Sequence, residues 1–280
     1  EIPENYTFTK CDINDWHRLS EVVGRNWYNE VYNLACPASP PAYQSVPMHT
    51  VRTCTTGVFN LLKIVQSGEY RSRFLQASTS EIYGDPAVSP QPETYNGNVA
   101  TMGPRACYDE GKRVAETIVY LHHEYVDSVV VRIFNSYGPH MHPYDGRAVS
   151  NFIVAALEGR PLEIKGDGLQ TRSFCYVDDT VNGLIAAMES DISNATVFNI
   201  GNPTEITILD LARIILEKVK NPLATVKHVG KEMHDPQKRK PCLAKTKHFL
   251  EWQPVVSLDE GLNKTIEYFK KVLTETEPVE

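Results

Sequence analysis

Two groups of side chains in the sequence have types and spacing suited to acid–base chemistry. The first is Tyr108-Asp109-Glu110-Gly111-Lys112. On a helix, residues four apart share a face, so the Lys112 ammonium can sit near the Tyr108 hydroxyl. A cation there favours phenolate and lowers tyrosine from its ordinary pKa of ~10 towards the range of a general base. The spacing by itself is weak. With 14 tyrosines in 280 residues, chance pairs of this kind are expected, and Tyr6 and Lys10 form another in a segment without a helical pattern. An ordinary helix-surface pair is the competing reading. The second group is Ala77-Ser78-Thr79-Ser80-Glu81-Ile82-Tyr83-Gly84, leaving the end of a predicted strand, where ligands collect in open α/β sheets. Its hydroxyls and carboxylate are able to bond a substrate hydroxyl. A Ser/Thr-rich turn that caps a helix is the alternative.

The elements that must position these groups alternate along the chain. Glu30 to Ala35 reads as a buried strand, and Met48 to Ser67 as a helix stopped by Gly68. Arg73 to Ser78 is the next strand and Cys107 to Tyr125 the next helix. Ser128 to Phe134 is a β-branched run of the kind a parallel sheet buries on both faces. Strand alternating with helix predicts an α/β fold with a doubly wound, mostly parallel Rossmann-like sheet. From about Gly138 the segments shorten and Pro and Gly become frequent, while Ile206–Lys220 and Leu258–Val272 read as surface helices. The expected division is residues 1–138 for the main sheet and 139–280 for a smaller C-terminal α/β lobe, with some elements returning to the sheet.

Composition excludes several classes. Hydrophobic residues make up 41% and charged residues 22%, ordinary globular usage rather than disordered or fibrous. The net charge of −7 argues against a nucleic-acid or anionic-membrane partner, though not against a local basic pocket. Cys11, Cys36, Cys54, Cys107, Cys175 and Cys242 form no C-x-x-C pair, so neither a zinc site nor a disulfide framework is expected, and a reducing, cytoplasmic setting is the default. His140 and His142 lack a nearby carboxylate or cysteine partner, so no metal is expected. No apolar run reaches the ~18 residues of a membrane span. The chain starts at Glu1 rather than Met, which suggests a trimmed piece of something longer.

A strand ending in Ser-Thr-Ser-Glu-x-Tyr-Gly, followed by Tyr-x-x-x-Lys on a helix, resembles the extended short-chain dehydrogenase/reductase family. Leu34-Ala35-Cys36-Pro37-Ala38-Ser39-Pro40-Pro41 and Gly103 to Arg113 narrow the resemblance to the UDP-glucuronate decarboxylases (UDP-xylose synthases). Asp145 to Phe152 and Asp235 to Pro241 are similar to the same enzymes, so the likeness covers nearly the whole chain. It implies that NAD stays bound while UDP-glucuronate is oxidised at C4, decarboxylated through a 4-ketone and reduced to UDP-xylose. It implies catalytic roles for Tyr108 as base and for Lys112, Thr79, Ser80, Glu81 and Arg239. Cofactor contacts fall on Asp12, Ile13, Leu34, Ala35, Tyr108, Lys112, Ser136 and Arg147. Substrate contacts fall on Pro40, Tyr43, Glu81, Asn135, Arg147, Arg172, Tyr176 and Arg239. A homodimer through helices starting near Pro104 and Met48 is also implied. So are cytosolic or Golgi-lumen locations, the latter through an anchor upstream of Glu1.

Some positions depart from that pattern. Cys54 stands where asparagine is expected, His49 where lysine is usual, and Cys242 where aspartate is usual. No glycine-rich phosphate-binding run precedes Val31. Either the chain binds no dinucleotide or its first βαβ element lies before Glu1. A nucleotide-sugar 4-epimerase, a 4,6-dehydratase and a non-catalytic UDP-sugar-binding homologue remain alternative readings.

Overall fold

The computed structural model describes residues 5–23, 28–67, 72–230 and 238–275; Gly68 and Asp235-Pro236-Gln237 lie outside them. The first half runs α1 (Trp16–Val22), β1 (Glu30–Asn33), α2 (Pro40–Ser45), α3 (Pro47–Arg52), a π turn at Thr53–Gly57, α4 (Val58–Ser67) and β2 (Arg73–Thr79). A 3-10 turn at Ser80–Tyr83, α5 (Ala106–Leu121) and β3 (Ser128–Ile133) follow. The second half adds β4 (Ser136–Tyr137), α6 (Ala148–Leu157), β5 (Leu162–Lys165), β6 (Thr171–Ser173), β7 (Cys175–Tyr176), α7 (Val177–Glu189) and β8 (Thr196–Ile200). It closes with β9 (Glu205–Thr207), α8 (Ile208–Val219), β10 (Val226–Val229), α9 (Ala244–Leu250) and α10 (Leu258–Glu275).

The main sheet has the order β1-β2-β3-β8 and is parallel throughout. Because successive side chains of a strand face opposite ways, a sheet covered on both sides needs apolar residues at consecutive positions. Phe74 and Val130 join Leu61, Leu62, Ala115 and Val119 of α4 and α5 on one face. Leu75, Val129 and Val131 join Leu184, Met188 and Trp252 on the other. Each fully buried side chain of this size is worth ~1.5–3 kcal/mol, so the two faces together lock the register. The register sets Thr79 beside Ile133 and Ile133 beside Ile200, which brings the C-terminal strand ends to one edge.

A second core unites α6, α8, α10 and β5 through Phe152, Ile153, Leu162, Leu211 and Phe269. Between the two, the chain crosses back: α7 and α9 cover one face of the main sheet, and β8 is its edge strand. The C-terminal residues are therefore shared between the sheet and the lobe.

Several element boundaries differ from the sequence expectation. The helix expected over Met48–Ser67 is broken into α3, the π turn and α4. There the Thr53 and Thr55 hydroxyls donate to the carbonyls of His49 and Val51, four residues back, at 2.9 and 2.8 Å. Such wide turns recur at functional sites. The helix expected to reach Tyr125 ends at Leu121, and Tyr125 folds back into a turn on His122. Ile206 belongs to β9, which pairs antiparallel with β6, so the following helix begins at Ile208. The first strand ends at Asn33 rather than Ala35.

Candidate active site

At the C-terminal edge of the sheet opens a cleft of about 640 Å³, floored by β2, β3 and their following turns and walled by α5, α6 and residues 34–44. The buried run of β2 ends in Thr79, whose hydroxyl accepts from the Glu81 amide at 3.2 Å and so starts the 3-10 turn. The capping turn and the candidate chemical group are thus the same residues. Tyr83 and Arg132 brace this turn: the Tyr83 hydroxyl donates to Asn199 at 2.8 Å, and Arg132 donates to Tyr83 at 2.9 Å and to Glu116 at 2.7 Å.

Tyr108 and Lys112 lie on the face of α5 that borders the cleft, as the spacing predicts, and both are buried. The Lys112 ammonium donates to the Ala77 carbonyl at 2.8 Å and stands 5.9 Å from the Tyr108 ring centre. The expected lowering of the Tyr108 pKa by Lys112 is not found. Burial pushes the phenol up, the Cys36 sulfur adds to the rise, and the Thr79 hydroxyl bonded to its oxygen opposes them. Tyr43 stacks on Tyr108 with ring centres 5.0 Å apart and 9° between planes.

Glu81 lies at the centre of a buried charge cluster. Both terminal nitrogens of Arg239 and one of Arg105 donate to its carboxylate, the Arg239 Nη2 bond measuring 2.9 Å. Burial pushes this carboxyl up, but the two guanidinium groups outweigh it and hold Glu81 at about 2. Arg105 also lies 3.7 Å from Asp109, one oxygen of which is buried without a hydrogen bond. For Asp109, burial and then the Glu81 charge win over Arg105, and its carboxyl is pushed up to about 7.

Of the residues singled out in the sequence, Leu34, Pro40, Tyr43, Thr79, Ser80, Glu81, Tyr108, Lys112, Asn135, Ser136, Arg147, Arg172 and Arg239 line this one cleft. The Asn135 amide donates to the Ser173 carbonyl at 3.2 Å, and the Ser136 hydroxyl meets that of Thr180 at 3.0 Å. Arg147 donates to the Ala38 carbonyl at 2.8 Å, tying the two walls together. Asp12, Ile13, Ala35 and Tyr176 are not among the lining residues. Asp12 binds the Asn14 amide, and Ile13 packs against the position of Gly57. Tyr176 turns into the C-terminal core, edge-on to Tyr137 with ring centres 5.9 Å apart, because β7 pairs with β4 and points it there.

Residues 1–265 match the protein family described as GDP-mannose 4,6 dehydratase. The chain belongs to that family. UDP-glucuronic acid decarboxylase 1 of Xenopus tropicalis is 51% identical over 279 residues, 96% of this chain; the chain spans 65% of that relative's length. The UDP-glucose 4-epimerase of Thermotoga maritima, solved with UDP-glucose, has a TM-score of 0.88 at 30% identity, over 97% of this chain and 87% of its own. The UDP-glucuronic acid 4-epimerase of Bacillus cereus, solved with UDP-glucuronic acid and NAD, has a TM-score of 0.82 at 26% identity, covering 97% and 83%.

In this member of the GDP-mannose 4,6 dehydratase family, the cleft residue Arg105 escaped the sequence reading as a site residue, as did Asp109, which lies behind it on α5 outside the cleft lining. Both lie within the quoted Gly103–Arg113 block, but the role of Arg105 comes from a salt bridge to Glu81, 24 positions away, and that of Asp109 from its contact with Arg105. The signal in the sequence was the helical spacing of Arg105 and Asp109, which makes them an i,i+4 pair. Asp109 carries a stability consequence. Its carboxyl, ordinarily at 3.8, keeps its proton in the fold up to about 7, over a range where an unfolded chain loses it. Its contribution therefore falls as pH rises through that window, by up to ~1.4 kcal/mol per pH unit. Asp109→Asn, which cannot ionise, is expected to raise the urea midpoint relative to the parent more at pH 8 than at pH 5. Equal shifts at both pH values would assign the titration elsewhere.

Proposed function

We propose that this protein decarboxylates UDP-glucuronate to UDP-xylose with NAD as a regenerated cofactor. The observation that carries the reading is Glu81 clamped by Arg105 and Arg239 within one cleft that also holds Thr79, Tyr108 and Lys112. The name of the Xenopus tropicalis relative supports the same chemistry.

The donor set suits the nicotinamide-ribose end of NAD: Lys112 offers a buried ammonium, and Leu34 an apolar wall, beside Ser136. NAD held there would supply a reversible two-electron acceptor for oxidation of the sugar at C4. Tyr108 takes the proton of the C4 hydroxyl, and Thr79 holds the C4 oxygen against it. Two-electron oxidation at C4 would give a 4-ketone β to the C6 carboxylate, so carbon dioxide would depart with its electrons spread onto the C4 oxygen, and protonation at C5 with return of the two electrons would give the pentose. Arg147 and Arg172 suit the pyrophosphate, since guanidinium groups bind such oxygens in pairs. We assign Glu81 and Ser80 to the departing carboxylate, and Arg239, which holds Glu81, to the sugar. Residues 1–138 on this reading serve chiefly the cofactor and 139–280 chiefly the UDP-sugar. The deciding experiment supplies UDP-glucuronate and catalytic NAD to the full-length protein. UDP-xylose without net NADH supports the proposal; UDP-galacturonate, or unchanged substrate with NAD bound, overturns it in favour of an epimerase or a binding module.

A homodimer is part of the proposal. Val114 and Leu121, seven apart on α5, are 42% and 65% exposed, and Phe59 of α4 is 51% exposed beside them, edge-on to His122 at 5.4 Å. An apolar face across two adjacent helices suits a second copy of the chain. Phe59→Glu with Leu121→Glu is expected to convert a dimer into a monomer by light scattering, and an unchanged mass would place the contact elsewhere. Among the described residues no helix is long and apolar enough to cross a membrane. The six free cysteines suit a reducing compartment, and we place the protein in the cytoplasm, to be checked by cell fractionation.

A further inference from the structure

The proposed activity makes no use of two cysteines in the cleft wall. Cys36 lies on the turn after β1 and lines the cleft; Cys54 lies in the π turn between α3 and α4. Eighteen residues apart in sequence, their sulfur atoms are 3.4 Å apart, and both are free thiols. Cys54 is enclosed, with 2% of its surface exposed. A Cβ at Gly111 of α5 would stand 3.1 Å from the Cys54 Cβ and 3.3 Å from its sulfur, so α5 closes that side.

We propose that Cys36 and Cys54 are a dithiol–disulfide site in the cleft wall, oxidised by a hydroperoxide and restored by a small thiol. The Cys36 thiolate attacks the peroxide oxygen, the O–O bond breaks, and a sulfenic acid forms while the leaving oxygen takes a proton. The Cys54 sulfur then attacks the Cys36 sulfur; the S–O bond breaks, and the hydroxyl leaves as water with the Cys54 proton. Two thiols and one hydroperoxide thus give one disulfide, one water and the alcohol of the hydroperoxide (a second water when the oxidant is hydrogen peroxide), with the two electrons passing from sulfur to oxygen.

The surroundings favour Cys36 as the attacking group. Its hydrogen bond with Cys54 lowers the thiol most; burial opposes this, the Lys112 ammonium adds to the lowering, and the result is about 7. Burial instead pushes up Cys11, Cys107 and Cys175. Attack needs thiolate and access, and Cys36 combines both. Closing the bond requires the sulfurs to move from 3.4 Å to ~2.05 Å. The turn bearing Cys36 lies outside the sheet ladder, with Ala35 and Ala38 exposed on either side, so the shift breaks no strand pairing.

The test uses the full-length protein, a few equivalents of hydrogen peroxide, alkylation of the remaining thiols and peptide mass spectrometry. The expected result is a linked Cys36–Cys54 peptide pair, lighter by two hydrogens and lost on treatment with dithiothreitol. In Cys54→Ser, where no second sulfur can close the bond, Cys36 is expected to give a dimedone adduct at least ten-fold more abundant than in the parent. Oxidation at Cys107 or Cys11 with Cys36 and Cys54 still alkylatable would overturn the proposal. So would equal dimedone labelling of parent and variant. The readout is mass and does not depend on the proposed activity.

Discussion

Tyr108→Phe is expected to bind UDP-glucuronate nearly as well as the parent and to turn it over at least ~10² more slowly. The ring that stacks on Tyr43 at 5.0 Å is kept, so the wall of the cleft retains its shape. The oxygen that receives the Thr79 hydroxyl is lost, and with it the group able to take a proton from the sugar. Thr79 keeps its bond with the Glu81 amide, so the turn below the site remains capped. Calorimetric affinity together with steady-state turnover measures the two effects separately. Turnover within a few-fold of the parent would remove Tyr108 from the role of base. A large loss of affinity with unchanged turnover would make it a binding residue instead.

Glu81→Gln is expected to lower turnover by ~10² while UDP-glucuronate affinity rises rather than falls. The amide is nearly isosteric and still accepts hydrogen bonds, but it cannot neutralise Arg239 and Arg105, both of which donate to the carboxylate. Two guanidinium groups then face the cleft without their anion. They will hold the sugar carboxylate more strongly in the ground state, which disfavours its departure as neutral carbon dioxide. Removing one partner from a buried ion cluster also costs ~3–5 kcal/mol of stability, so thermal unfolding is followed alongside. Product analysis by mass distinguishes the outcomes. A collapse of binding with turnover intact would make Glu81 a structural residue, and an unfolded variant would be replaced by Arg239→Lys, which retains the charge but loses the paired contact.

Much of the cleft was legible because its residues lie at the ends of short, strongly patterned elements. The buried runs Phe74-Leu75 and Val129-Val130-Val131 mark strands covered on both faces, so the residues that follow them, Thr79 to Glu81 and Asn135 to Ser136, had to emerge at one sheet edge. The helix spacing of Tyr108 and Lys112 likewise put both on the cleft wall. The failures have local causes. Threonine hydroxyls competing for helix carbonyls opened the π turn at Thr53–Gly57, which apolar periodicity does not register. Tyr176 sits next to cleft residues in sequence, yet the pairing of β7 with β4 directs its ring into the second core.

The amino-acid sequence alone determined the alternation of strands and helices, the hydroxyl-rich strand end and the tyrosine–lysine face, because periodicity and helical spacing act within a few residues. The tertiary structure alone decided the charges. Arg239 reaches Glu81 across 158 residues and Arg105 across 24, and only their burial around one carboxylate fixes which group is ionised. The same holds for Tyr108, where enclosure by packed neighbours outweighed the nearby lysine, and for Cys36 and Cys54, whose contact depends on a turn and a helix meeting in space. Ionisation depends on water exclusion and on distances between remote segments, and those quantities exist only once the chain has folded.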